Sequence, residues 1–270
     1  MAETQAAESP AQDESPAVAQ IQRRLRGRMN AESAIVIFAI PVIVLLGFAG
    51  YAIWHSVATL DSVEESALGW ATIWQQIWEH VRLTFVSAFF VVVIAVPLGI
   101  MLTRGRAKAA APLVVGIANA GQAAPAVGLI VLFAMWLQPG FKTAVIALTL
   151  YAILPVLRNT IVGLQGVEPT LIEAGRGVGM SQAAVLFRVE LPLALPVIMA
   201  GVRTALVLLV GTATLATFIN GGGLGATLQA GISLLRYPVI VAGAVLVALL
   251  ALLIEWLGRV LELVVRPRGV

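Results

Sequence analysis

Residues 172–196 read IEAGRGVGMSQAAVLFRVELPLALP. The stretch carries Glu173, Arg176, Arg188 and Glu190, is punctuated by Gly175, Gly177 and Gly179, and lies between long apolar runs. A plain connection between two helices takes about 2–8 residues; this one is far longer and has start and stop signals of its own. Thr170 and Glu173 have the spacing of a capping box, and Pro169 suits a helix entrance. Gly177 and Gly179 should end that helix, and Ser181 can cap a second one running to Pro192. The expectation is a pair of short helices at an angle, with Leu171, Ile172, Val185, Leu186 and Val189 as their apolar contacts.

The surroundings give this device its setting. The 270 residues are 60% hydrophobic and 11% charged, where a soluble domain carries about 25% charged residues. An all-α integral membrane protein is expected. A membrane span needs roughly 20 mostly apolar residues. The runs that qualify are Ala34–Trp54, Val81–Leu102, Pro112–Trp136, Thr143–Leu157, Val197–Thr217 and Val239–Trp256, about six spans in all. The fourth is short and should extend to Arg158 or beyond, and Pro125 should kink the third. Residues 1–32 read as a disordered polar tail ending in a basic cluster at Arg23, Arg24, Arg26 and Arg28.

Basic residues set the orientation, because they concentrate on the cytoplasmic side. With the N-terminus inside, that side receives the cluster at 23–28, then Arg104, Arg106, Lys108, Arg158, Arg176, Arg188, Arg259, Arg266 and Arg268. An even number of spans returns both termini to the cytoplasm and places the polar device there too. The opposite side keeps Arg82, Lys142 and Arg236 beside Asp61, Glu64, Glu65 and Glu79. Trp70, Trp74 and Trp78 recur at helical spacing and read as an interfacial amphipathic segment ahead of the second span.

Several chemistries are excluded. There is no cysteine for disulfides or thiolate sites. Lys108 and Lys142 are the only lysines, and neither stands in a phosphate-binding Gly-Lys-Ser/Thr context. Gly221–Ala226 fits a loose dinucleotide fingerprint, but it follows a membrane helix rather than a strand. His55 and His80 lack companions at metal-ligand spacing. No catalytic residue, metal or cofactor is expected, and no nucleic acid partner.

Glu173-Ala174-Gly175, three residues, Gly179, nine residues, then Val189-Glu190-Leu191-Pro192 resembles the EAA loop of binding-protein-dependent ABC importer permeases. Gly175 stands where that motif has its second Ala, and Val189 where it has Ile. The resemblance implies a coupling loop, Glu173, Ala174, Gly175, Gly179, Val189, Leu191 and Pro192, that docks on a separate ATPase. It also implies an extracytoplasmic substrate-binding protein and a second permease subunit, identical or paralogous. ILPVLRNTIVGLQGVEPTLIEAGRGVGM, ELPLALPVIMAGVRTALV and GTATLATFINGGGLG look like the branch that imports osmoprotectants such as glycine betaine, choline, carnitine or proline. A methionine or other amino-acid permease shares the core, and a self-contained secondary transporter is the alternative from another class. The resemblance covers Val81–Val264. It implies a five-helix permease domain, 81–264, with the coupling loop at 159–195. An extra span and external amphipathic segment, 33–80, precede that domain, and a short tail, 265–270, follows it.

Uncharged polar residues within the spans are the candidates for the translocation pathway: Asn119, Gln122, Thr149, Thr212, Thr214, Thr217 and Asn220. Helix packing is the competing role for the threonines. The resemblance also implies an external gate or docking loop, for which Gly221, Gly222, Gly223 and Gly225 are the candidates. Arg203, inside the fifth span, is expected to snorkel toward the cytoplasmic interface and the coupling loop.

Overall fold

The computed structural model describes residues 16–265, with side-chain surroundings from Ile37 onward. Among the described residues the chain is helical throughout, with no strand. The order is α1 (Pro16–Val57), α2 (Ser62–Leu68), α3 (Trp70–Leu102), a 3-10 turn over Gly105–Ala110, α4 (Ala111–Ala123), α5 (Ala126–Trp136) and α6 (Phe141–Gln165). Then follow α7 (Pro169–Gly177), α8 (Gln182–Val185), a π turn over Leu186–Glu190, α9 (Leu191–Ala213), a 3-10 turn over Thr214–Ile219, α10 (Gly225–Ser233) and α11 (Tyr237–Val265). Five helices are long and apolar enough to cross a membrane, or six if the bent pair Gly105–Ala123 and Ala126–Trp136 counts as one broken span.

Two expectations change and a third holds. The first concerns the N-terminus: residues 1–15 lie outside the described residues, but the helix begins at Pro16, so 16–32 are not the irregular tail the composition suggested. Ala, Gln, Leu and Arg dominate that stretch, and all four favour helix once a stable span continues it. The second concerns the tryptophans. They are the first turns of α3 itself, a single helix of 33 residues, about 50 Å long at 1.5 Å per residue. The separate segment is only α2, closed by a capping box in which Asp61 accepts from Val63 and Glu64 N–H at 2.9 Å. The third concerns Pro125. The α4–α5 pair bends by 98°, because Ala124, held extended (ψ 147°) before the proline, cannot continue α4.

The bundle is organised around α6, which packs on α3, α9, α4 and α5. More than half of its apolar stretch is enclosed (56%), against 6% for α1. In lipid no hydrophobic force draws helices together, so close backbone approach must do so. Gly163 faces Ala194 and Val197, while Gly201 faces Asn159 and the Pro155 carbonyl. Asn159 Nδ2 donates to the Val197 carbonyl at 3.1 Å across the same seam. By contrast α1 lies along α11, with Trp256 Nε1 donating to the Ile37 carbonyl at 2.8 Å. At its far end Phe48 and Tyr51 meet Trp70.

Candidate functional site

The polar device is two short helices joined by a tight turn, as its glycines suggested. The chain leaves α7 through a Schellman motif: Met180 N–H donates to the Gly175 carbonyl at 3.1 Å and Gly179 N–H to that of Arg176 at 2.9 Å. Gly179 supplies the left-handed residue that the motif requires, with φ +87°. Ser181 then caps α8 by accepting from Ala184 N–H at 3.2 Å. The capping box at Thr170 and Glu173 is absent. Helix α7 starts one residue earlier, at Pro169, so Thr170 is already helical and its hydroxyl turns to Glu168 at 3.4 Å. Nor does Pro192 end the second helix. It cannot donate to the turn before it, and the ladder widens into the π turn and runs on as α9.

The device is seated by a few residues. Gly175 is buried, and a Cβ there would touch Val185, Met180 and Val189, so α7 meets α8 at its smallest side chain. Ile172, Leu186 and Leu191 rest on Leu164 of α6, Val167 in the connection after it, and Ala194 and Ile198 of α9. The opposite face is open: Leu171, Glu173, Ala174, Arg176, Gly177, Val178, Phe187 and Arg188 are exposed. Val178 and Phe187 are 76% and 66% accessible. The open face thus mixes apolar and charged side chains.

Behind it lies a contact that spacing could not show. Glu190, 3% exposed, accepts a two-pronged pair from Arg104, through Nη1 at 3.1 Å and through Nη2. The pair ties the end of α3 to the start of α9. Arg203 does not reach this region. It pairs with Glu262 at 3.2 Å and Glu255 at 3.7 Å on α11, and Arg259 joins Glu255 at 3.4 Å. The expected contact with the α7–α8 device is therefore replaced by partners on α11.

The pathway candidates divide. Asn119 is exposed on α4, and Gln122 is half-buried, with Nε2 at 3.5 Å from the Tyr151 carbonyl. Thr149 is buried between α6 and α3, its hydroxyl 3.5 Å from the Ser87 carbonyl, which is a packing position. Thr212 and Thr214 bond back to Leu208 and Gly211 of their own helix at 2.8 and 2.7 Å. Thr217 meets Gln229 of α10 at 3.1 Å. Asn220 has φ +56° and ends the 3-10 turn in a second Schellman motif, with Gly221 N–H donating to Ala216 at 2.8 Å. Asn tolerates that conformation better than other side-chain-bearing residues.

The glycines after it form a packed knot. Gly223 N–H donates to Glu79 at 2.9 Å. A Cβ at Gly222 would strike Glu79, one at Gly223 would crowd His80, and one at Gly225 would overlap the Thr214 backbone. His80 is fully buried, and its Nε2–H donates to the Val210 carbonyl of α9 at 2.9 Å. Asp61 and Arg236 close the same end at 2.7 Å. Sequence spacing offered no sign of Glu79 or His80 here, since their partners lie on distant helices. No cluster of His, Cys, Asp or Glu suited to a metal ion occurs among the described residues.

This geometry has relatives. Residues 95–267 match the family described as binding-protein-dependent transport system inner membrane component. A choline transport system permease protein of Bacillus subtilis, OpuBB, is 43% identical over 192 residues, 71% of this chain and 88% of the relative. An osmoprotectant import permease protein of Salmonella typhimurium, OsmY, is 39% identical over 67% of this chain and 78% of its own length. Among solved structures, a chain of the inward-facing MetNI methionine ABC transporter aligns with a TM-score of 0.63 and 29% identity. It matches over 74% of this chain and 100% of that one.

Proposed function

The chain belongs to the binding-protein-dependent transport system inner membrane component family, and from that premise we propose that it is the permease of an ATP-driven importer of osmoprotectants, quaternary ammonium compounds or proline-like zwitterions. The observation that carries this reading is the exposed α7–α8 face, Glu173 to Phe187, held rigidly on α6 and α9 by its buried side. It is the coupling loop. A separate ATPase covers it, and movement of the ATPase pair tilts the spans between inward-open and outward-open states. The basic residues near α7, among them Arg104, Arg106, Lys108, Arg158, Arg176 and Arg188, favour a cytoplasmic address for that end in a bacterial plasma membrane, with both termini inside.

The opposite end, with the Gly221–Gly225 knot, meets an extracytoplasmic binding protein. A second permease subunit completes the pathway, with Asn119 and Gln122 the pathway candidates that remain free of the packing and helix-capping roles above. A permease of this kind needs little affinity of its own, because selectivity resides in the binding protein. Relatives named for choline, for glycine betaine and for carnitine at 34–43% identity favour osmoprotectants over amino acids as cargo. The test is reconstitution with an ABC ATPase and an osmoprotectant-binding protein from the same genome. ATP-dependent uptake of choline or glycine betaine, with ATP hydrolysis accelerated by loaded binding protein, is expected. Uptake driven by an ion gradient with no ATPase present would return the chain to the secondary-transporter class.

A further inference from the structure

The Arg104–Glu190 pair stands apart from the docking face and behind it. Its two side chains are unequally placed: Glu190 is 4% accessible and Arg104 40%. The residues are 86 positions apart in sequence, and the guanidinium occupies both carboxylate oxygens. Arg104 follows the last turn of α3 and opens the turn into α4, whereas Glu190 closes the π turn into α9. Two polar cavities of about 510 and 400 Å³ flank the pair, and both are lined by Thr103, Arg104 and Glu190. Around this contact, then, the α3 end and the α7–α8 device face each other across two solvent-open grooves.

We propose that Arg104 and Glu190 are positioning residues that form a strut, making the coupling loop and the α3–α4 connection move as one body. The inference rests on the permease reading above and deepens it. The loop is covalently continuous only with α6 and α9, so without the strut its displacement would reach α3 and the broken α4–α5 span only indirectly. Among the described residues Arg104 is the cation that pairs with this buried carboxylate, while Arg176 and Lys108 line the flanking cavities without pairing with it, and separating Glu190 from the guanidinium would leave its charge buried and unpaired. The two-pronged geometry fixes orientation as well as distance. The flanking cavities give neighbouring side chains room to shift while the strut holds, and the widened π turn is where the helix can adjust beside it.

The experiment uses the full importer in liposomes, with Glu190→Gln and, as a variant that keeps the charge but loses the fork, Arg104→Lys. Glu190→Gln is expected to keep ATPase association and ATP hydrolysis while substrate moved per ATP falls on the order of tenfold, with Arg104→Lys intermediate. Spin labels on Ala109→Cys and Thr170→Cys, both exposed positions outside the docking face in a chain without native cysteine, report the geometry directly. In the parent their separation should stay the same with and without trapped nucleotide, and in Glu190→Gln its distribution should broaden. A parent separation that changes with nucleotide, or an undiminished transport-to-ATP ratio in both variants, overturns the strut. If the parent fails to associate with any ATPase, the functional reading fails instead. The label distances in the permease alone, parent against Glu190→Gln or Arg104→Lys, then decide the strut by themselves.

Discussion

At the scale of single residues, the α7–α8 device turns on where a Cβ can be placed. Gly175 is the position at which the related motif has alanine, and a Cβ there would sit 3.4 Å from Val185 Cγ2 and 3.7 Å from Met180 Sδ, an ordinary contact. Gly175→Ala should therefore stabilise the chain by about 0.5–1 kcal/mol through helix propensity. A rise in melting temperature in detergent, with uptake retained, would show it. Gly179 is the opposite case. Open space surrounds it, but its φ of +87° is one that a β-branched residue adopts only under strain. Gly179→Val should distort the turn at a cost of roughly 1–2 kcal/mol, leaving membrane insertion normal while uptake and ATPase association fall. Normal uptake in that variant would detach the turn from coupling. Both glycines were legible from the motif and its spacing. Thr170 was misread because a Thr–Glu spacing fits more than one helix start, and Pro169 fixed another.

At the scale of elements, the decisive contacts lie between helices, and they are made by small groups and buried acceptors. A Cβ on Gly201 would stand 2.7 Å from Asn159 Cβ and 2.8 Å from the Pro155 carbonyl, where backbone cannot retreat. Gly201→Ala should push α6 and α9 apart and cost about 1–3 kcal/mol, seen as a lower melting temperature. At the other end of the bundle, Glu79 holds the Gly223 amide at 2.9 Å, a hydrogen bond to a charged group worth about 1.5–3 kcal/mol. Glu79→Ala should speed hydrogen exchange across residues 220–225 by about tenfold or more. Unchanged exchange there would mean that the glycine knot is held by packing alone. The lengths and order of the spans were readable because each is a local apolar run. That α3 absorbs the tryptophans was not, since Asp61, Glu64 and Glu65 made the approach look like a separate surface segment until α2 was seen to take those acids.

At the scale of the whole molecule, the basic residues gather at the end that carries α7, and that distribution makes a prediction about orientation. In a chain with no native cysteine, Gly177→Cys should react only with reagents supplied from the cytoplasm. Tyr237→Cys, 77% exposed at the opposite end, should react only from outside. Labelling of both from one face would reverse or break the topology argued here. The sequence by itself determined the all-helical membrane class, about six spans, the bend at Pro125 and the glycine-hinged device of Glu173–Pro192. Each is written in neighbouring residues and adds up along the chain. Only the tertiary structure decided that Arg104 meets Glu190 across 86 positions, that Arg203 turns to Glu255 and Glu262, and that His80 and Glu79 seize the backbone of α9 and the glycine knot. It also placed Thr149 in the seam between α6 and α3, with its hydroxyl 3.5 Å from the Ser87 carbonyl. The reason is that lipid is as apolar as the protein interior, so a membrane helix need not carry a polar stripe to mark its outward face. Its rotation, and with it every partner across the bundle, is set by side-chain shape and close backbone contact once the helices are assembled.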